Sequence, residues 1–202
     1  MITIVDYGLG NLGSVLNMLK KIGVEGEIRS DVQGIENASK LILPGVGSFD
    51  AAMRKLHESN LTEVLRKKAL EDKIPVMGIC LGMQLLLNSS EEGIEPGLGW
   101  IDGEVKKFVF NDSHMKVPHM GWNYIKRAKI NERIINDLDE SKFYFVHSYY
   151  VKVNDQENSL LTTSYGHDFD SGVMKDNIFG FQFHPEKSHK YGMKLFENFA
   201  AL

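Results

Sequence analysis

Residues 74–88 read IPVMGICLGMQLLLN. This stretch predicts a strand, a sharp turn and a helix, the repeating unit of an α/β fold. An apolar, strand-like run leads into Cys80, and a helix-like run follows it directly. A nucleophile held on a sharp turn between a strand and a helix needs glycine on both sides, because such a turn leaves no room for side chains. Gly78 and Gly82 meet this requirement, and the start of a helix favours thiolate over thiol through its dipole. The pattern predicts a nucleophile elbow in which sulfur replaces the serine oxygen.

Cys80 is also the only cysteine of the chain. A free cysteine is often a small buried hydrophobe, so this structural interpretation stays open until a partner for the sulfur is found. A single cysteine cannot form an internal disulfide, and its presence is typical of a reducing compartment.

Composition excludes several classes of function. The 202 residues carry a net charge of −4, which gives no electrostatic footprint for nucleic acid or for an anionic membrane. The N-terminal residues lack the basic region of a signal peptide, and no apolar run approaches the ~20 residues that a membrane helix needs. We therefore expect a soluble, cytoplasmic protein.

Strand-like and helix-like segments alternate over the first part of the chain. Apolar residues at i, i+3, i+4 and i+7 predict a helix from Leu12 to Leu19, which Gly23 closes. The other predicted segments are strands at 2–5, 24–29 and 40–43, a turn at 44–47 and a helix over 49–70. This alternation favours a parallel sheet with helices on both faces.

The predicted secondary structure changes from alternating strands and helices to mostly strands after Glu92. Short aromatic and β-branched runs predict strands within 97–110, 122–130, 142–153, 160–166 and 177–186. Residues 191–202 read as one amphipathic closing helix, whereas the loops 110–116 and 164–172 carry no usable motif. The predicted fold is α/β and three-layered, with a mostly parallel central sheet, helices on both faces and a strand-rich mixed C-terminal half. It is expected to form one domain over residues 1–202.

A thiol nucleophile needs a base, and the base needs an orienting group. Among seven histidines, His184 ends an apolar strand and is followed by Pro185 and Glu186. If the backbone stays extended through residue 186, His184 and Glu186 point the same way, so the carboxylate can hold the imidazole. An ordinary pair at a strand end gives the same pattern. Both this pair and the elbow are expected at the carboxyl edge of the sheet, where open α/β sheets place their sites.

The loop Pro44-Gly45-Val46-Gly47 also follows a predicted strand. Its glycines let a peptide turn its N–H towards a ligand, and with the amide of Leu81 such a group can stabilise a tetrahedral oxyanion. A plain tight turn explains the same residues equally well.

Five motifs, PGVGSF, GICLGMQLL, PHMGWN, FVHSYY and FGFQFHPEKS, occur in this order along nearly the whole chain. In this respect the chain resembles the class I, triad-type glutamine amidotransferases. Within that class, the segment 118–123 makes it similar to the glutaminase subunits of imidazole glycerol phosphate synthase, an enzyme of histidine biosynthesis.

The resemblance implies a Cys-His-Glu triad. In it Cys80 is the nucleophile, His184 is the base and acid, and Glu186 orients the histidine. The thiolate attacks the side-chain amide of L-glutamine, and water then hydrolyses the thioester to glutamate. Ammonia passes to a synthase (cyclase) subunit in a heterodimer. No cofactor and no metal are implied.

The resemblance also implies contacts to the substrate and to the partner. Those to glutamine and its oxyanion fall on Val46, Gly47, Leu81, Gln84, Glu92, His147, Ser148 and Tyr149. Those to the synthase subunit fall on Asn11, Trp122, Tyr144 and Lys187.

Other interpretations remain open. Gly8, Gly10 and Gly13 match a dinucleotide fingerprint, with Asp31 placed where the ribose-binding acid belongs. Cys80, His114, His119 and His184 are conceivable metal ligands, although no pair of them has zinc-finger or H-E-x-x-H spacing. A cysteine hydrolase without a partner shares the elbow. Finally, a paralogous glutaminase subunit that feeds ammonia to a surface-sugar amidotransferase would look alike.

Overall fold

A computed structural model describes residues 1–112 and 114–202, so Ser113, in the unassigned loop 110–116, lies outside the described residues. The helices are α1 (Leu12–Lys21), α2 (Val32–Glu36), α3 (Phe49–Glu58), α4 (Thr62–Arg66), α5 (Leu81–Leu85) and α6 (His189–Ala200). The strands of the first half are β1 (Ile2–Val5), β2 (Gly26–Arg29), β3 (Leu41–Gly45), β4 (Val76–Cys80) and β5 (Ser89–Ser90). Those of the second half are β6 (Gly103–Lys107), β7 (His119–Tyr124), β8 (Lys126–Arg127), β9 (Lys142–His147), β10 (Tyr149–Val153), β11 (Ser159–Tyr165), β12 (His167–Lys175) and β13 (Ile178–Phe181).

The main sheet has the strand order β2-β1-β3-β4-β13-β12-β10-β6-β5, and β11 pairs with β12 and β8. Strands β2, β1, β3, β4 and β13 are parallel, whereas β12 and β10 run antiparallel to their neighbours. The predicted parallel sheet with a mixed extension is confirmed. One detail differs, because β7 and β9 pair with each other in a second small sheet rather than joining the main one.

The alternation of side chains along the central strands builds two cores. In β3, Leu41 and Leu43 pack into one hydrophobic cluster and Ile42 into the other, on the opposite face of the sheet. Helices α2 to α5 supply the first cluster, and α1 and α6 supply the second. Apolar residues on both faces of these strands explain the predicted three-layer arrangement, which is confirmed.

The predicted helix over residues 49–70 is interrupted. Helix α3 ends at Glu58, and Asn60 takes a left-handed conformation with φ 58°. Asparagine tolerates this region better than most residues, so the chain turns there before α4 begins. The following residues, Lys67–Glu71, form a π-helical turn. The helical periodicity continues across the break because both pieces bury their apolar side against the same core.

Two other segments also differ from expectation. Strand β3 continues through Pro44 and Gly45, so the turn predicted at 44–47 starts later, at Val46. The unassigned loop 164–172 contains most of β12, a strand that pairs on both sides. Its polar residues His167, Asp168 and Asp170 do not follow the apolar pattern by which strands are predicted.

The register of the central strands positions the site. Gly45 pairs with Cys80 across β3 and β4, and Phe181 pairs with Ile79 across β13 and β4. The three strands therefore end side by side, and the residues directly after each strand lie at one carboxyl edge. Within the described residues, no helix is both long and apolar enough to span a membrane.

Candidate active site

Cys80 lies on a strained turn between β4 and α5. Its backbone angles, φ 53° and ψ −109°, fall in a region that non-glycine residues rarely adopt, and such strain is typical of functional positions. A Cβ on Gly78 would lie 2.6 Å from the carbonyl oxygen of Gly82, and a Cβ on Gly82 would overlap the carbonyl of Leu43. Both flanking glycines are therefore required by the close approach of the backbone, as the elbow pattern predicts.

His184 and Glu186 form a hydrogen-bonded pair, with 2.8 Å between Nδ1 of His184 and Oε1 of Glu186. The backbone conformation that brings the two side chains together differs from the predicted one. Residues Pro185–Lys187 form a 3-10 turn, so the backbone is not extended through residue 186. The turn itself folds the carboxylate back onto the ring. The backbone N–H of His184 donates to the carbonyl of Tyr144 at 2.9 Å, which fixes the start of the turn.

The ring of His184 is stabilised in its charged form. Burial disfavours the charge, but interactions with Cys80 and then with Glu186 outweigh burial and raise the pKa of His184 to about 10. Nδ1 is committed to Glu186, so Nε2 is the nitrogen that serves the sulfur. Among the described residues Nε2 makes no hydrogen bond of regular geometry, a looseness that is common in unliganded catalytic sites. The arrangement favours a thiolate-imidazolium pair.

A cavity of about 370 Å³ lies above these groups. Its size suits a single small-molecule substrate. It brings together the predicted nucleophile and base and every residue predicted to contact glutamine or its oxyanion: Val46, Gly47, Cys80, Leu81, Gln84, Glu92, His147, Ser148, Tyr149 and His184. Pro118, Val146 and Lys187 complete the lining.

The loop at Val46 and Gly47 is anchored at both ends, through Pro44 before it and through Phe49 after it. The buried hydroxyl of Tyr7 donates to the carbonyl of Pro44 at 2.8 Å and pins the peptide between Pro44 and Gly45. Burial, and then the negative charge of Cys80, raise the pKa of Tyr7, so this donor keeps its proton. Gly47 has φ 107°, and nothing would touch a Cβ built there. Gly47, between these anchors, therefore has space in which its peptide can turn.

Gln84 and Glu92 are partly committed to the protein. Nε2 of Gln84 donates to the carbonyl of Tyr149 at 3.1 Å, which leaves its Oε1 to face a ligand. Oε2 of Glu92 accepts from the backbone N–H of Phe49 at 2.9 Å, at the start of α3. Glu92 thus ties the cavity wall to the helix that follows the Val46–Gly47 loop.

A buried histidine pair beneath the cavity was missed as such by sequence reasoning. Nδ1 of His119 lies 2.8 Å from Nε2 of His147, and Nδ1 of His147 lies 2.8 Å from the carbonyl oxygen of Tyr149. A carbonyl only accepts, so His147 donates from Nδ1, and its Nε2 must accept from His119. Both rings are neutral in this chain. Burial lowers the pKa of His119 to about 4, and burial, only partly offset by the hydrogen bond to Tyr149, lowers the pKa of His147 to about 3.

These lowered pKa values predict an acid-sensitive fold. An unfolded histidine titrates near pH 6.5, so between that pH and its folded pKa only the unfolded state binds the proton. The folded state therefore has its full stability above pH 6.5 and loses stability as the pH falls towards 4. We expect the free energy of unfolding to fall by about 2 kcal/mol per histidine by pH 5.

His147→Asn, which can still donate to Tyr149, should lose less of its free energy of unfolding between pH 7.5 and 5, as measured by urea unfolding. The exposed control His57→Asn should keep the wild-type slope; equal slopes in all three proteins would contradict this assignment.

Of the four residues predicted to face the partner, Lys187 lines the cavity, Tyr144 lies beside Lys187, and Trp122 lies beside Tyr144. Trp122 is 42% exposed and stacks on His189 with ring centroids 5.6 Å apart. Nζ of Lys187 lies 5.9 Å from the centre of the Tyr144 ring. Asn11 caps α1, and Ser14 of the same helix shares a second cavity, of about 260 Å³, with Lys187 and His189.

The residues of the rival interpretations have other structural roles. Oδ1 of Asp31 accepts from the backbone N–H of Gly34 at 2.8 Å as the cap of α2, and its carboxylate pairs with Arg29. That hydrogen bond, followed by Arg29, lowers the pKa of Asp31. His119 is bound to His147 rather than to Cys80. The Asp31 carboxylate is thus already engaged by Gly34 and Arg29, and the His119 ring is engaged by His147.

The fold and the site are those of a family. The family model for class I glutamine amidotransferases matches residues 3–202. The chain therefore belongs to the class I glutamine amidotransferases.

Within that family the chain is similar to proteins named imidazole glycerol phosphate synthase subunit HisH 2. The protein of that name from Methanococcus maripaludis is 55% identical over 199 residues, which cover 98% of each chain. The one from Pseudomonas aeruginosa is 52% identical over 203 residues and covers 100% of both. A crystal structure described as a glutamine amidotransferase, 18% identical, aligns over 100% of both chains with a TM-score of 0.76 and supports the fold.

Proposed function

We propose that this chain is the glutaminase subunit of imidazole glycerol phosphate synthase. It hydrolyses L-glutamine to glutamate and ammonia and delivers the ammonia to a synthase subunit. The observation that carries the chemistry is one cavity lined by Cys80, by His184 and by the predicted glutamine contacts, with Glu186 hydrogen-bonded to the His184 ring. The full-length relatives support the pathway. We also propose that residues 1–202 act as one cytoplasmic domain, in line with the extent of the family match.

The site residues have defined roles in this reaction. The Cys80 thiolate attacks the side-chain carbonyl carbon of glutamine, and the negative charge moves to the amide oxygen. The amides of Leu81 and of the Val46–Gly47 loop stabilise that oxyanion. The imidazolium of His184 gives its proton to the departing nitrogen, which leaves as ammonia. The resulting neutral ring takes a proton from water, hydroxide attacks the thioester, and glutamate leaves as Cys80 is restored.

The partner surface lies beside this cavity. Lys187 lines the cavity, and Tyr144 and then Trp122 continue the surface away from it. Asn11 caps the start of α1. An aromatic, half-exposed surface of this kind suits a protein interface. A synthase seated there can receive ammonia before solvent protonates it.

We expect glutamine hydrolysis by the chain alone to be slow and to rise strongly with a ligand-bound synthase subunit. The peptide at Gly47 has space to turn, so partner binding can fix its N–H towards the oxyanion. One such donor contributes about 3 to 4 kcal/mol, or roughly 100- to 1,000-fold in rate. Glutamate release in a steady-state assay, with and without the partner, measures this ratio. Equal rates would rule out the gating.

Rescue of a histidine auxotroph that lacks this subunit tests the pathway. Growth without histidine supports the proposal, whereas a glutaminase that fails to rescue would indicate the surface-sugar paralogue. A Cys80→Ala variant in the same strain shows whether any rescue depends on the glutaminase.

A further inference from the structure

Gln182 lies close to the sulfur; it falls within the motif FGFQFHPEKS, but the sequence assigns it no role. It follows β13 directly, its side chain is fully buried, and its backbone N–H donates to Ser171 at 3.0 Å. Oε1 of Gln182 accepts from Nε2 of Gln84 at 3.0 Å, and Nε2 of Gln182 lies 3.8 Å from Sγ of Cys80. A buried carboxamide must satisfy its polar atoms within the protein. Here it does so between two residues of the site.

The direction of these hydrogen bonds is fixed by a backbone carbonyl. The carbonyl oxygen of Tyr149 can only accept, so the atom of Gln84 facing it at 3.1 Å is the amide nitrogen. The same nitrogen then donates to Gln182, whose facing atom must be oxygen. The remaining atom of the Gln182 carboxamide, its N–H₂ group, therefore points at the sulfur.

A donor aimed at the sulfur acts differently on its two protonation states. A thiolate is a stronger acceptor than a thiol, and a hydrogen bond to a charged group is about twice as strong as a neutral one. We propose that Gln182 is a positioning residue: it donates from Nε2 to the Cys80 thiolate, keeps the sulfur ionised and holds it towards the cavity. His184 is the charge partner of the same sulfur, so two groups, Gln182 and His184, stabilise the anion. This role rests on the proposed function because it takes Cys80 as the nucleophile.

Alkylation of Cys80 tests the role without glutamine or a partner. Because Cys80 is the sole cysteine, mass spectrometry of the iodoacetamide-treated chain reports on this one thiolate. In Gln182→Met, which keeps the length of the side chain but removes the donor, we expect the pH midpoint of alkylation to rise by about one unit. The rate below the midpoint should fall about tenfold.

Gln84→Met is the matched control. It loses the same buried hydrogen bond between Gln84 and Gln182 but leaves the Gln182 amide beside the sulfur. If Gln182 only supports the fold, the two variants shift the midpoint alike or not at all, and either result overturns the proposal. Circular dichroism first establishes that each variant is folded.

Gln182→Asn covers the case in which Gln182→Met does not fold. It keeps a carboxamide but withdraws the nitrogen from Sγ, so the midpoint should again rise; a wild-type midpoint in this variant would overturn the proposal. An inactive glutaminase with the expected alkylation shifts would refute the proposed function and leave the role of Gln182 intact.

Discussion

Cys80→Ser should abolish glutamine hydrolysis, with a loss of at least about 10⁴-fold in kcat in the presence of the synthase subunit. Serine keeps the shape of the elbow, so the loss reflects chemistry rather than folding. Interaction with Cys80 is the largest favourable contribution to the raised pKa of His184. A serine hydroxyl cannot form this thiolate-imidazolium pair, and the nucleophile is then no longer activated in advance.

Two measurements accompany this variant. A glutamine analogue with an electrophilic diazoketone in place of the carboxamide should label the wild-type chain once and leave Cys80→Ser unlabelled. The synthase reaction driven by added ammonium salt should be unchanged in the complex, because it bypasses the glutaminase site. Retention of more than one per cent of the wild-type glutaminase rate would show that another group is the nucleophile.

The elbow and the core of the sheet could be predicted because they depend on local rules. The glycines beside Cys80 are dictated by backbone contacts within one turn, and the alternation of Leu41, Ile42 and Leu43 states directly which side faces which core. The interruption at Asn60 could not be predicted, because helical periodicity is preserved on both sides of it.

The buried residues that hold the site depend on tertiary contacts, which the spacing of residues along the sequence does not predict. Gln182 and Cys80 are 102 residues apart, and their approach results from the pairing of β4 with β13. The pairing of His119 with His147 likewise requires the β7–β9 sheet, where the two residues stand opposite each other. The His184–Glu186 pair was predicted for an incorrect reason, since a 3-10 turn rather than an extended strand brings its groups together. Sequence therefore indicated the reacting groups, whereas tertiary structure supplied the residues that hold them.

Glu186→Gln should lower kcat for glutamine hydrolysis by about 10³- to 10⁴-fold, while the chain remains folded. Glu186 accepts the proton of Nδ1 at 2.8 Å and so presents Nε2 of His184 to the sulfur. A glutamine at this position can offer its own N–H to Nδ1, which stabilises the opposite tautomer and misdirects the proton. It also removes the negative charge that helps raise the pKa of His184.

The pH profile separates this role from a structural one. A raised folded pKa means that the charged ring is maintained below it and lost as the pH rises through it, at about 10 in the wild type. In Glu186→Gln the pKa of His184 falls, so the alkaline limb of the residual activity should move to lower pH. Glu197→Gln, the same change on the exposed side of α6, should leave both kcat and the limb in place. A Glu186→Gln enzyme with reduced kcat but an unmoved alkaline limb would show that the carboxylate serves packing rather than the charge on His184.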